Sequence, residues 1–598
     1  MEKYQERITF RAPYVVAVSL LGGWLRLRHL GLPSFWLDEV LGYDLTTAAA
    51  KQPLWRWLTI FDLEHGPLYY AGELAGRFLR QPELSARLVP ALLGTATIVV
   101  GWFAARAIRS HPATPFIFTL LLAVSPLHVY YSREARPYAL VALVATALLA
   151  IFLREPRLRS TIAILAIAIY SSATAVSVIV AAAFAAAARR WWRVAALCAL
   201  SVLPIAFCYH PARHTVAETV DWSLLGGLIE SFSVVALDTS RLHFAAWVFA
   251  TLAIAGAAAL ARRDRGQAIV AMAFAVIPVA FVVIAAIATH HFVAVRYAIG
   301  ALPAYLLLVS VGVVAIARRF AIPAAMLLAL AGWHAAVSEP FRKLDWRGIA
   351  AAIEAHAHEN DPVIAANDST SIALGFYLRG KTPRVRTFNA QGSGVFGEIF
   401  HFQGTSSWIV VAGYDEDFNK WSARFPVLLS SPLENFSLRY SPSAYYYLTD
   451  RATPAEVRAL LGTFGGRVGV RFGPGDHDLL GDGWSRSERG LVTQKRALLA
   501  LPVPQVADHA LYIQIEPAQP QQLVMISING KDVQNLALRD GRHTYIVIVP
   551  RDRWRNGINT VGFDFSSARL PSARVYAVGI DGLDFTDRSH PLQFSRLR

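Results

Sequence analysis

The chain has 598 residues, of which 55% are hydrophobic and 17% charged, with a formal charge of +15. Soluble domains carry about 25% charged residues, so composition excludes a chain that is soluble from end to end. It does not point to nucleic acid either, because much of the Lys and Arg excess lies in short joints between apolar runs, where it sets membrane topology.

From Ala12 to about Val337 the sequence is a series of apolar runs broken by charged joints. About eleven of these runs have the length of membrane spans. They lie near 12–30, 86–108, 114–132, 137–153, 160–175, 176–188, 194–209, 243–261, 268–289, 297–317 and 320–337. The first follows Lys3, Arg7 and Arg11. It outruns the apolar core of a signal peptide and lacks a small-residue cleavage site, so it reads as an uncleaved first helix. Cys198 and Cys208 share one run, about 15 Å apart if helical, which is too far for a disulfide.

Placing the N-terminus in the cytoplasm puts Arg106/Arg109, Arg154/Arg157/Arg159, Arg189/Arg190/Arg193, Arg262/Arg263/Arg265 and Arg318/Arg319 on that same side. Every cytoplasmic joint is then basic, as the positive-inside rule requires. An odd number of spans puts the C-terminal part on the extracytoplasmic side.

The outer joints carry the chemistry. The loop from Pro33 to Ser85 begins with Phe35-Trp36-Leu37-Asp38-Glu39. Two acids beside aromatics at a membrane surface suit a functional site; as first-turn acids they would equally cap an interfacial helix. The same loop holds Asp62, Glu64, His65 and Tyr69, a set able to bind a divalent cation or move a proton. At the next outer junction stand Arg133, Glu134, Arg136 and Tyr138. Arginine is disfavoured on the outer side by topology, and its planar fork of donors matches a phosphate. Late in the bundle His290, His291 and Arg296 occupy another outer junction, with Arg296 as a second phosphate clamp. A second outer loop, 210–242, adds Arg213 and His214. The soluble part offers only Asp476 and Asp478, which suit a turn better than a cation. No P-loop, dinucleotide fingerprint, zinc-type Cys/His spacing or serine-hydrolase elbow occurs.

From Ser338 onward the texture is that of a soluble protein. A helix from Asp345 to Glu359, strands at 363–366, 408–412 and 427–429, and a helix start at Thr453-Pro454 predict a small α/β domain. Beyond Gly473 short strands at 498–501, 511–515, 523–528, 544–549, 560–565 and 575–580 alternate with Asn529-Gly530, Asp540-Gly541 and Asn556-Gly557. These are turn-forming pairs, and the pattern predicts a β-sandwich. The fold class is therefore a polytopic α-helical membrane protein followed by a small α/β domain and a β-sandwich. The domains run 1–340, 341–472 and 473–598.

Four motifs in order, FWLDE, EHGPLYY, SREARPYAL and VRYAIGALPAYLLL, span most of residues 30–305. In order and placement they resemble the GT-C glycosyltransferases of the protein O-mannosyltransferase and lipid A aminoarabinose transferase superfamily. The stretch Gly481–Glu488, with Asn529-Gly530 later, resembles a jelly-roll module of some bacterial glycosyltransferases, for which carbohydrate binding is an open role. The resemblance implies an inverting hexosyl- or pentosyltransferase of the bacterial inner membrane. It would use a polyprenyl-phosphate sugar and an envelope acceptor that is a lipid, a glycan or a protein. Asp38 would be the base, with Glu39 beside it; Arg133, Arg136 and Arg296 would hold the donor phosphate. The family's second motif differs here, with Leu63 in place of its acid and Gly66 in place of a proline, so Asp62 and Glu64 stay open as alternatives. No cofactor is required, and Glu64 with His65 leaves room for a divalent cation. The alternative is an exporter of lipid-linked sugars, although transporters place their ionisable groups near the midplane of repeated halves.

Overall fold

A computed structural model of the chain describes residues 13–53, 56, 65–108, 110–209, 243–289, 295–338, 343, 345–356, 362–365, 368–379, 386–389, 406–411, 443–448, 462–464, 467–471, 483–485, 490–503, 506–555, 557–566 and 572–581. Asp62, Glu64, Arg213, His214, His290, His291, Asp476, Asp478, the strand expected at 427–429 and the helix start at Thr453 lie outside them. The chain forms two compact units, residues 1–33 with 38–342, and residues 34–37 with 343–598.

The first unit is helical. In chain order its helices are α1 (Pro13–Leu27), α2 (Leu37–Ala49), α3 (Pro67–Ala75), α4 (Pro82–Ala107), α5 (Thr114–Val124), α6 (Pro126–Ser132), α7 (Tyr138–Phe152), α8 (Leu158–Ser171), α9 (Ala175–Ala188), α10 (Trp192–Leu200), α11 (Val202–Cys208), α12 (His243–Arg263), α13 (Arg265–Thr289), a 3-10 turn (Val295–Ala301), α14 (Leu302–Ala317) and α15 (Ala321–Ser338). Each apolar run named above falls on one or two of these elements. Among the described residues, four helical stretches are long and apolar enough to cross a membrane, within 82–107, 246–263, 265–285 and 296–337. The bent pair α5–α6 makes a fifth when taken as one span. The other apolar helices are shorter, at 10–17 residues.

The unit is apolar inside and out. Leu121, Leu148, Ile179, Phe274 and Leu306 are buried, while Leu20, Trp247, Ile254 and Leu327 are exposed on helix surfaces. An exposed apolar coat of this kind suits lipid as the solvent. Where helices cross most closely, side chains are absent. A Cβ on Gly256 of α12 would sit 1.9 Å from the Leu308 carbonyl oxygen, and one on Gly312 of α14 would sit 1.9 Å from that of Leu252. Backbone cannot yield as a side chain can. We expect Gly256→Val to cost at least about 3 kcal/mol, the upper end of overpacking penalties, read as a lowered melting temperature of the solubilised chain. Wild-type melting would refute this account of the crossing.

The break between α5 and α6 shows how a polar side chain is accommodated inside the bundle. The helices bend by 56° at Ser125. Pro126 has no N–H, so the Leu122 carbonyl loses its helical donor. Arg26 replaces it: its guanidinium donates to the carbonyls of Leu122 (3.3 Å), Ala123 (3.0 Å) and Gly22 (2.7 Å), and to His128 Nδ1 (2.6 Å). The Leu122 carbonyl that Pro126 left open thereby gains a donor from a fully buried arginine.

The second unit contains α16 (Trp346–His356), β1 (Pro362–Ala365), α17 (Asp368–Leu378), β2 (Arg386–Asn389), β3 (Ser406–Val411), β4 (Ser443–Leu448), β5 (Gly462–Phe464), β6 (Arg467–Arg471), β7 (Leu491–Val492), β8 (Arg496–Val503), β9 (His509–Pro517), β10 (Leu523–Ile528), β11 (Lys531–Ala537), β12 (His543–Val549), β13 (Gly557–Phe565) and β14 (Ala573–Asp581). Strands β1–β4 form a sheet of order β2-β1-β3-β4, parallel except for β4, with α16 preceding β1 and α17 connecting β1 to β2 in sequence. Residues 34–37 belong to this unit. The Phe35 N–H donates to Tyr377 Oη at 2.6 Å, and Ser34 Oγ accepts from the Arg347 N–H at 3.1 Å.

Two further sheets follow, of order β11-β10-β13-β8 and β12-β9-β14-β6-β5, with β7 on β14. Alternate side chains are buried along β9 (His509–Pro517; Leu511, Ile513, Ile515), β10 (Leu523–Ile528; Val524, Ile526, Ile528) and β13 (Gly557–Phe565; Val561, Phe563, Phe565). One buried face per sheet is the pattern of a two-sheet sandwich. Asn529 and Gly530 both have positive φ, 50° and 75°, and turn β10 tightly into β11 (Lys531–Ala537). The boundary drawn at 472 moves earlier, because β5 and β6 (Arg467–Arg471) pair with β14 and so belong to the sandwich.

Candidate functional site

Asp38 and Glu39 stand in the first turn of α2. Asp38 is 20% exposed and its Oδ2 accepts from Arg136 Nη2 at 3.2 Å. Residue Glu39 is fully buried and fully engaged. Its Oε1 accepts from Arg87 Nε at 2.8 Å and from the Ala135 N–H at 2.9 Å, and its Oε2 accepts from Arg87 Nη2 at 2.7 Å. Arg87 Nη1 donates in turn to the carbonyls of Pro33 (2.7 Å) and Leu30 (3.2 Å). Two adjacent acids therefore differ in kind. One is a two-pronged buried ion pair that ties α2 to α4 and to the 133–136 turn; the other meets a guanidinium through a single contact and reaches solvent.

The turn between α6 and α7 is held from both sides. The Ala135 N–H is bound by Glu39, and its carbonyl accepts from Tyr69 Oη at 2.7 Å. That clamp presents Arg136 to Asp38. Arg296, at the head of the 3-10 turn, lies within electrostatic range of Asp38, Tyr131, Tyr138 and Tyr297, with its guanidinium 5.1 Å from the Tyr297 ring centre. The Tyr138 ring is buried and packs edge-on against Tyr131 at 5.2 Å. Asp38, Arg136, Arg296 and these tyrosines thus gather in one region of the bundle.

Arg133 does not join them. Its Nη1 donates to the Leu25 carbonyl at 3.1 Å, at the end of α1. The charges it feels are those of Arg28, Arg87 and Arg26, and burial together with that repulsion holds its guanidinium at about 9, below the ordinary arginine range. Of the three arginines expected together, Arg136 and Arg296 lie by Asp38, while Arg133 lies among Arg26, Arg28 and Arg87.

His65 is buried where an isolated bridge joins it to Ser172, with its ring 5.1 Å from that of Tyr69. Gly66, the departure from the family motif, has a steric reason: a Cβ there would lie 2.3 Å from the Tyr170 carbonyl oxygen. A proline cannot occupy that position with α8 so near. The cation option rested on Glu64 with His65; Glu64 and Asp62 lie outside the described residues. Among the described residues no three of His, Cys, Asp and Glu form a metal-binding group.

Residues that sequence reasoning passed over complete the picture. Arg87 stands one turn into α4, at the end that the charge pattern assigns to the same side as Arg133 and Arg136, so the argument from topology applies to it equally. Glu73 is buried on α3, bonded to Tyr69 Oη at 2.5 Å and to Thr46. A single glutamate four residues before an arginine has the spacing of an ordinary surface pair, so the sequence gives no sign of its burial.

No family model matches the chain, and no curated protein does. Among solved structures it is similar to ArnT from Cupriavidus metallidurans in its apo state, with a TM-score of 0.45, and bound to undecaprenyl phosphate, with a TM-score of 0.44. Each shares 16% identity with this chain, over 72% of this chain and 97% of the other. It is also similar to the arabinofuranosyltransferase AftD from Mycobacteria, at 13% identity and a TM-score of 0.38, over 95% of this chain and 61% of that one.

Proposed function

We propose that the chain is an inverting glycosyltransferase of the bacterial inner membrane. It moves a sugar from a polyprenyl-phosphate donor to an envelope acceptor on the extracytoplasmic side. The observation that carries this reading is the Asp38–Arg136 pair, with Arg296 within electrostatic range of the same carboxylate. A base and two permanent cations in one partly dry region fit a reaction that removes a proton from a nucleophile and leaves charge on a phosphate.

The steps follow from the groups. The donor phosphate brings negative charge to Arg136 and Arg296. Arg136 exchanges its single contact with Asp38 for contacts with phosphate oxygens, which match its fork of donors. Asp38 is released at that moment and accepts the proton of the acceptor hydroxyl or amine. The acceptor attacks the anomeric carbon, the bond from that carbon to the phosphate oxygen breaks, and polyprenyl phosphate leaves with the electron pair. Attack from the face opposite the leaving group inverts the centre. Glu39 holds the turn in place through Ala135 and takes no proton.

The test is the full chain reconstituted in proteoliposomes with a polyprenyl-phosphate-linked radiolabelled sugar and an envelope extract as acceptor. Release of polyprenyl phosphate with label on the acceptor supports the reading. Label crossing the bilayer with the donor bond intact means an exporter and overturns it.

A further inference from the structure

Glu73 lies outside the set that touches the donor, yet it is buried beside the clamp on Ala135. Its Oε1 meets Tyr69 Oη at 2.5 Å, and its Oε2 meets Thr46 Oγ1. The same two hydroxyls also reach carbonyls, Tyr69 to Ala135 at 2.7 Å and Thr46 to Gly42 at 2.9 Å. A carbonyl only accepts, and each hydroxyl has one proton. With Glu73 ionised, two protons serve four contacts; with Glu73 neutral, three do. The extra proton frees the Tyr69 hydroxyl to donate to Ala135.

We propose that Glu73 is a positioning acid: as a neutral carboxylic acid it donates to Tyr69, keeps Tyr69 on the Ala135 carbonyl, and so fixes the turn that presents Arg136 to Asp38. This rests on the transferase reading of the Asp38 site.

The surroundings agree with a neutral acid. Burial raises the Glu73 carboxyl to about 7, against the pull of its Thr46 and Tyr69 bonds and the charge of Arg136, while the charge of Glu39 adds to the rise. Those are the groups that act on it: Tyr69 from its own helix, Thr46 and Glu39 from α2, and Arg136 from the turn. From α4, Arg87 is engaged by Glu39. When Glu73 ionises, both hydroxyl protons turn toward it, the Ala135 carbonyl loses its donor, and a new anion competes with Asp38 for Arg136. The competent form is the protonated one, so turnover falls as pH rises through the neutral range.

The experiment compares wild type, Glu73→Gln and Glu73→Ala over a pH series in the proteoliposome assay. Glutamine keeps a donor for Tyr69 and an acceptor for Thr46. Glu73→Gln is expected to hold kcat within about threefold of wild type at acid pH and to lose the alkaline fall. Glu73→Ala removes the donor that holds Tyr69 and should lie about tenfold below the acid-pH wild-type kcat, the worth of roughly one hydrogen bond, without an alkaline fall of its own. A Glu73→Gln enzyme with the wild-type pH profile, or one as slow as Glu73→Ala, overturns the proposal. The second readout needs no turnover. Infrared spectra of the purified full chain should show a carboxylic-acid C=O band on the acid side of neutrality that fades as pH rises and is missing from Glu73→Gln. A band unchanged by Glu73→Gln overturns the proposal. If wild type transfers no sugar at any pH, the transferase reading fails, and the infrared band still decides whether Glu73 carries the proton.

Discussion

Asp38→Asn is expected to lower transfer by about 10²–10⁴-fold, the contribution of a positioned general base. The fold should survive it. Asparagine has the same shape and keeps an oxygen that accepts from Arg136 Nη2, the one hydrogen bond Asp38 makes to that residue's guanidinium. What it lacks is basicity. Melting temperature and donor binding should therefore stay near wild type while kcat collapses. A variant within tenfold of wild type would remove Asp38 as the base and leave the arginines as a binding site without chemistry.

Part of this site is legible in the sequence and part is concealed. Asp38, Arg136 and Arg296 were legible because ionised groups at a bilayer surface are costly and need a reason. The structure gathers them although they lie far apart in the chain. The roles of Glu39 and Arg133 were not legible. A carboxylate reads the same whether it faces substrate or a guanidinium, and nothing local to FWLDE announces that Arg87 arrives from α4. Arg133 and Arg136 sit on one turn, yet they point to different partners, and the difference depends on where α1 ends. Glu73 was concealed by a helical repeat: Arg77, its apparent partner four residues on, instead donates to Thr47 and covers the Tyr43 ring.

The fold shows the same division. Apolar runs located every helix of the first unit that carries one, because burial in lipid or protein imposes a continuous signal. Run length alone could not see that Pro126 breaks one of them or that a second is split at Ser201. In the sandwich the alternating strands were read at or near their observed places. Strand β11, with mostly exposed side chains, was passed over because a polar edge strand has no alternation to read.

The Glu39–Arg87 pair gives the second large effect, this time on stability. Arg87→Met should cost about 3–5 kcal/mol, since it leaves a fully buried carboxylate without its cation, and should show as a lower melting temperature of the solubilised chain. Glu39→Leu with Arg87→Met removes both charges together, and apolar replacements of buried pairs are often close to neutral. The double variant should therefore recover most of the lost stability. Activity should not follow. Leucine offers no acceptor for the Ala135 N–H, so the turn that carries Arg136 is held only through Tyr69, and kcat should stay at least about tenfold down. Stability that returns together with activity would reduce Glu39 to a packing residue. A single Arg87→Met that melts like wild type would mean that the pair does not hold the site at all. Stability restored without turnover is the outcome expected if the buried acid acts through Ala135 while its neighbour Asp38 does the chemistry.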